Sequence, residues 1–426
     1  MTTTKNNEHK KLKVPNKQEQ NQTCLDAAER EGLRPKGNIP NLRFPEFQEE
    51  WEKCKLGTLT AKVGSGSTPK GGNTVYTSTG HCFVRSQNVG MGYLILDDVA
   101  HINDGIHQKH KATELKEDDV LLNITGASIG RTAIATKEIE GGNVNQHVCI
   151  IRANSKVSPK FLCNYIQTKK IQNYIQSLQT GGSREGLNFE QIRSFPISLP
   201  NIAEQNKIAQ LLDKLNERIA TQSKIIEDLK KLKCAIIEKV YSEIQGKEYS
   251  YGQLFDVVNE RNKQMEYSNI LSASQEKGMV NRDDLNLDIQ FERSNINTYK
   301  IVKKGDYVIH LRSFQGGFAF SDKLGVCSPA YTILRPNSIL EYGYLSNYFT
   351  SQRFIKSLVL VTYGIRDGRS INVDEWLSMK ITIPSKEHQQ YIVKMIRSFE
   401  RKIENEEAYA TQLSIQKQYL LRQMFI

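Results

Sequence analysis

The sequence predicts an α+β chain arranged as a tandem pseudo-two-fold repeat: two mixed α/β units joined by two long helices that pair antiparallel as a coiled coil. Three observations lead there. First, a stretch over 204–244 carries apolar residues spaced by threes and fours, the period of a helix with one buried seam. Its seam residues are Ile208, Leu212, Leu215, Ile219, Ile226, Leu229, Ile236 and Val240. Second, a shift of 184 positions carries this seam onto the C-terminal stretch as Ile392, Ile396, Phe399, Ile403, Ala410, Leu413, Leu420 and Met424. The polar interruptions return as well, Gln222 as Glu406 and Lys233 as Lys417. Third, the offset holds outside the helices, placing Pro200 on Pro384, Gln205 on Gln389, Leu187 on Ile371, Asn188 on Asn372 and Tyr165 on Phe349. Any two amphipathic helices can be aligned by period alone, so the matched interruptions and the matches outside the helices carry the argument.

In chain order, residues 1–38 are polar and read as a mobile tail. Residues 39–200 form the first unit, 201–245 the central helical spacer, 246–384 the second unit and 385–426 the C-terminal helical spacer. Within the units, 119–125, 148–152, 306–311 and 330–334 are rich in β-branched and apolar residues and read as strands. Glycines at 126–130 and 316–317 mark turns, and 159–178 and 342–358 read as helices that complete each unit. With a small shift for loop length, Lys116-Glu-Asp-Asp-Val-Leu-Leu corresponds to Lys303-Lys-Gly-Asp-Tyr-Val-Ile, each a turn followed by a strand.

Composition bounds the partners. A chain of 426 residues with 38% hydrophobic content is large enough for two or more cores. It has no run of eighteen apolar residues, and its N-terminus lacks an apolar export segment, so the expectation is a cytoplasmic protein without a membrane partner. Seven scattered cysteines without a C-x-x-C pair argue for reduced thiols, with neither disulfide framework nor zinc site. A net charge of +11 favours a polyanion, because each phosphate-bound Lys or Arg releases condensed counterions. Helices of about forty residues are roughly 60 Å long, on the order of 17 base pairs. If the helices pair antiparallel the units sit at opposite ends, and two unlike units then imply a split, asymmetric DNA target with an uncontacted gap.

The duplicated strings also have a family look. The chain resembles the specificity subunit of type I restriction-modification systems over nearly its whole length. The resemblance rests on Asn41-Leu-Arg-Phe-Pro-Glu-Phe followed by Trp51-Glu-Lys-Cys-Lys-Leu-Gly, and on Ile197-Ser-Leu-Pro with Glu204-Gln-Asn-Lys-Ile after it. The second copy is Ile381-Thr-Ile-Pro with His388-Gln-Gln-Tyr-Ile. It departs from the first at His388, which replaces Glu204 where the helix macrodipole favours an acid, with Glu387 one place earlier as the substitute. The resemblance implies two target-recognition domains and two helical spacers that measure the gap between half-sites. It implies docking of two methyltransferase subunits and of restriction subunits, with the chain itself non-catalytic. Adenine methylation would use S-adenosylmethionine on the partner; ATP and Mg are likewise expected on partner subunits, and this chain would bind no cofactor.

Base reading needs Arg or Lys for guanine and Asn or Gln for adenine, which match the major-groove edges bidentately. In the first unit, Val84-Arg85-Ser86-Gln87-Asn88 supplies Arg85, Gln87 and Asn88. Lys109 and Lys111 add charge nearby, and Arg131, Gln146 and Arg184 lie beside turns. The counterparts by type in the second unit are Arg261, Lys263, Arg312, Gln315, Arg366 and Arg369. Arg184 and Arg366 carry extra weight because both sit in glycine-flanked loops at nearly equivalent places, where backbone can approach phosphate. Each residue alone reads equally well as a solvated loop side chain; the argument concerns the set.

Two other readings compete. A catalytic chain would show a phosphate loop with its lysine, a zinc-binding His pair or a nucleophile elbow, and none is present. Gly64-Ser-Gly-Ser-Thr-Pro lacks the lysine, and His81, His101, His107, His110 and His147 lack carboxylates at ligand spacing, so no metal site is expected. A coiled-coil adaptor that binds only protein accounts for the heptads, but it requires neither the net charge nor two elaborate units.

Overall fold

The computed structural model describes residues 37–179, 186–274, 277–284, 293–310, 317–363 and 370–426. The chain folds as two compact units, one holding residues up to 219 together with 412–426, the other holding 220–411.

In the first unit the strand Glu52–Lys55 pairs antiparallel with Pro196–Leu199, closing the two ends of the intervening segment on each other. Between them lies a four-stranded sheet in the order Thr60–Ser65, Val148–Ala153, Val120–Asn123, Thr132–Ile134, and a three-stranded sheet built on His81–Val84. Val120–Asn123 is buried at all four positions, as a central strand of branched and apolar residues should be. The helix expected over 159–178 is two helices, Pro159–Ile166 and Lys169–Ser177. Thr168 causes the break: its backbone is extended and its hydroxyl caps Ile171 N–H, starting a new helix. Phe161, Tyr165, Ile208, Leu212, Leu421 and Phe425 meet in one core, so both long helices are built into this unit.

The second unit repeats the plan. Lys247–Ser250 pairs antiparallel with Lys380–Ile383, and a four-stranded sheet runs Phe255–Val258, Thr332–Pro336, Tyr307–Ile309, Phe318–Phe320. The helix expected over 342–358 is instead a series of turns around Gly343 at φ +76°, a 3-10 turn Tyr348–Thr350 and a short helix Gln352–Ser357 capped by Ser351. Left-handed glycine and a capping serine each interrupt helical backbone, which the apolar spacing could not reveal.

Two polar devices occur in both units at matching places. Asp119 is buried, receives the Lys116 N–H at 2.8 Å and grips Arg152 bidentately at 2.7 Å. Asp306 does the same with the Lys303 N–H at 2.8 Å and Arg335 at 2.9 Å. Gln205 accepts from Ser158 N–H at 2.8 Å and donates to the carbonyls of Lys156 and Pro200. Gln389 accepts from Glu341 N–H at 2.7 Å and donates to Ile339 and Pro384. Asn188 and Asn372, also paired by the offset, are both helix N-caps.

The long helices span Ile202–Ser242 and Lys386–Gln423. In the second unit they face each other in opposite directions, Gln222 bonding Glu406 at 2.5 Å and Lys233 pairing Glu400 at 2.7 Å. Burial along the seam is uneven. Ile208, Leu212, Leu215, Ile392, Ile396, Ile403, Leu413 and Met424 are buried, whereas Ile219, Ile226, Leu229, Ile236, Val240, Phe399, Ala410 and Leu420 are half-buried. Toward the C-terminal end of each helix the buried residues include the next positions along, Ile237 with Tyr241 and Leu421 with Phe425. There the helix packs on a globular core, and the 3.6-residue turn has drifted from the heptad.

The position of Glu204 has a different explanation from the macrodipole. Glu204 is fully buried and grips Arg43 of the opening segment with two 2.7 Å bonds. That segment is tied down further by Leu42 N–H donating to Gln423 and by Trp51 packing on Phe161 and Phe425. The matching His388 is exposed, and Glu387 is held below the usual carboxylate range by its own backbone N–H and the Ser385 hydroxyl.

Candidate nucleic-acid interface

The candidate residues of the first unit sit on loops that leave its sheets. Arg85 follows the strand His81–Val84, and a 3-10 turn Ser86–Asn88 carries Gln87 to the surface. Asn123, at the end of its strand, donates to the Ser86 carbonyl at 2.8 Å, and its own N–H bonds the carbonyl of Arg131. Asn145 N–H donates to Val84, which brings Gln146 to the same edge. Gln146 in turn accepts from Thr68 N–H at 3.0 Å, and Ser67 bonds His110, between Lys109 and Lys111. Hydrogen bonds made by these residues or their immediate chain neighbours therefore tie together the segments that carry Arg85, Gln87, Arg131, Gln146 and the Lys109–Lys111 turn.

Their exposure differs. Gln87, Lys109, Lys111, Arg131 and Gln146 are exposed, and Lys111 is paired with Glu114 at 2.7 Å. Arg85 is half-buried over the Tyr76 ring, 5.6 Å from its centroid. Asn88 is placed differently from the rest: it is buried, accepts from Arg85 N–H at 2.9 Å and donates to the Ile95 carbonyl at 2.9 Å. Its amide shapes the loop that presents Arg85 and Gln87.

In the second unit Arg261 and Lys263 are exposed, Arg261 bridging to Lys300 across neighbouring backbone. Burial holds the Lys300 ammonium below its usual value. Arg184, Arg312, Gln315, Arg366 and Arg369 lie outside the described residues.

Two histidines of the first unit are held in its framework. His81 and His107 stack with centroids 3.8 Å apart; His81 bonds Asp104 and the Gly141 carbonyl, and buried His107 bonds Asn143. Among the described residues no group of three or more His, Cys, Asp or Glu is placed to hold a metal ion. Burial pushes the thiols of Cys149 and Cys327 up to about 12 and that of Cys163 to about 11, far from nucleophilic thiolates. No described helix is long and apolar enough to cross a membrane.

Sequence reasoning missed Asp98. Its carboxylate accepts from Gln87 at 2.7 Å and lies 3.6 Å from Arg85, while its carbonyl accepts from Arg85 at 3.0 Å. Nothing in the local pattern marks an acid eleven residues after Gln87 and thirteen after Arg85 as the partner of both.

Known proteins share this architecture. A putative type I restriction enzyme MjaX specificity subunit from Methanocaldococcus jannaschii is 20% identical over 390 residues, spanning 86% of this chain and 91% of its own length. The EcoBI specificity subunit of Escherichia coli is 27% identical over 139 residues, 31% of this chain and 28% of its own. The crystal structure of a type I restriction-modification S subunit from M. genitalium superposes with a TM-score of 0.54 at 13% identity, covering 91% of this chain and 99% of that one. A chain solved in work on complex assembly and conformational transition of the type I R-M system gives 0.54 at 16% identity, covering 87% and 96%. The family model for the type I restriction modification DNA specificity domain matches twice, over residues 48–231 and 246–414. Two such matches, each on a unit with the same sheet order and the same polar clamps, mean that the chain belongs to this family and is a type I specificity subunit with two recognition domains.

Proposed function

We propose that this subunit reads a split, asymmetric double-stranded DNA target, one half-site through the recognition domain at 39–200 and the other through that at 246–384. The helices at 201–245 and 385–426 act as an antiparallel coiled-coil spacer that sets the uncontacted gap and docks two methyltransferase subunits and the restriction subunits. Catalysis, with S-adenosylmethionine, ATP and Mg, belongs to those partners.

The observation that carries this reading is the double family match on two units that differ in their loops, since unlike loops on like frames read unlike half-sites. The net charge of +11 and the linked set around Arg85, Gln87, Arg131 and Gln146 support DNA as the ligand. Exposed Ile225 and Leu232, one heptad apart on the first long helix, support helix-borne partner contacts.

The test is co-expression with the cognate methyltransferase subunit in a host without other adenine methylation, followed by genome-wide mapping of methyladenine. One split motif with a fixed gap and a modified adenine in each half is expected. A chain that binds its protein partner but leaves DNA unbound and unmodified would be an adaptor, and the reading would fall. A matched helical turn inserted after Lys224 and after Ile403 should lengthen the gap by about 5 Å, on the order of one to two base pairs, with both half-sites unchanged.

A further inference from the structure

An exposed carboxylate on a DNA-facing loop is electrostatically costly, because it repels phosphate without contributing a contact. Asp98 is such a group, its side chain 80% exposed in the loop that carries Arg85 and Gln87. Its bonds are specific. Oδ2 accepts from Gln87 Nε2 at 2.7 Å, and the main-chain carbonyl accepts from Arg85 Nη2 at 3.0 Å and from Asn88 Nδ2 at 3.5 Å.

A carboxylate only accepts, so the side of the Gln87 amide facing it must be the NH2 group. This fixes an amide that would otherwise rotate between two nearly isosteric orientations. One N–H goes to Asp98, and the exposed side chain keeps a second N–H and a carbonyl to offer a base edge. Adenine presents an N7 acceptor beside an N6 donor, which this orientation matches and the flipped one does not.

We infer that Asp98 is a specificity-determining positioning residue: its carboxylate locks the Gln87 amide, while Arg85 rests on the main-chain carbonyl that Asp98→Ala leaves in place, so that the first recognition domain discriminates one base pair without Asp98 touching DNA. The inference rests on the reading of Arg85 and Gln87 as base contacts.

The test uses the full chain in complex with its methyltransferase subunit. Binding is measured by competition on duplexes in which each base pair of the first half-site is replaced in turn. Variants are Asp98→Ala, Gln87→Ala, Arg85→Ala and the double Asp98→Ala/Gln87→Ala. For Asp98→Ala the expected result is about a tenfold loss of discrimination at a single base pair, the one lost in Gln87→Ala. Affinity for unrelated duplex should hold or rise, since a negative charge has gone, and the double variant should be no worse than Gln87→Ala alone.

Intact discrimination in Asp98→Ala, with discrimination lost in Gln87→Ala, would overturn the role of Asp98 and leave the base-reading assignment standing. Unchanged discrimination in both Gln87→Ala and Arg85→Ala would overturn that assignment and the inference with it. A further loss on adding Asp98→Ala to Gln87→Ala would make Asp98 a base reader itself, and a uniform loss over all duplexes would make it merely structural; either overturns positioning.

Discussion

Asp119 and Asp306 show how much one side chain can hold. Each is buried, closes a turn through a backbone N–H and grips an arginine from the neighbouring strand of its sheet. That hydrogen bonding raises the Arg152 and Arg335 guanidinium groups above their already high values, so both arginines stay cationic. Asp119→Ala should cost the first unit about 2 to 4 kcal/mol, and Asp306→Ala a similar amount in the second, because a partly buried arginine loses its counter-charge. Denaturant unfolding of each variant checks this; a loss within experimental error would mean that water substitutes for the carboxylate. Lys417 is the opposite case, a buried ammonium whose described hydrogen bond is to Gln167 at 3.0 Å and whose pKa burial lowers from the usual 10.5. With the folded value below the unfolded one, the folded chain binds fewer protons in the interval between them, so stability rises with pH there. Lys417→Met should remove that rise. Comparing unfolding of parent and variant at pH 7 and pH 10 should show the parent gaining relative to the variant, and a pH-independent difference would mean the ammonium is solvated.

At the level of the helices, periodicity and burial part company. The spacing of Ile208 to Val240 marks one helical face, and only part of that face is fully covered. Two paired helices bury a seam from one side; a globular core buries it from several. Leu212, fully buried in the core of the first unit, and Leu229, half-buried further along the same helix, are equivalent in sequence terms and unequal in burial. Leu212→Ala should cost about 2 to 5 kcal/mol and Leu229→Ala about 1 kcal/mol, compared by chemical denaturation of the isolated subunit. Binding of a partner along the helices should then bring the two costs closer, measurable as the denaturation difference with and without the methyltransferase subunit. The short helices were less legible than the long ones. Thr168 and Gly343 set their breaks through hydroxyl capping and a left-handed backbone, and apolar spacing is blind to both.

For the whole chain, DNA association driven by phosphate contacts should weaken by about a thousandfold between 50 and 200 mM salt if six or more phosphates are engaged. A titration over that range measures it, and a flat response would argue for an apolar, protein-only partner. The tandem organisation was fully legible, because a repeat is a long-range signal carried by local residues such as Pro200 and Pro384 or Asn188 and Asn372. The candidate surface was legible only in part. Arg85, Gln87 and Gln146 could be singled out by type, but their assembly depends on Asn123, Asn145 and Asp98, contacts between residues far apart in sequence that no spacing encodes.

The clamps at Gln205 and Gln389 touch only main-chain atoms: the N–H of Ser158 or Glu341, and the carbonyls of Lys156 and Pro200 or Ile339 and Pro384. Such a clamp is indifferent to side-chain identity at the positions it holds. In a saturation mutagenesis scan, tolerance would therefore be lopsided across the contact, permissive at exposed Lys156 and strict at 205 and 389. A lineage carrying these two glutamines can rewrite the surface around them, one recognition half at a time, while the frame beneath stays in register.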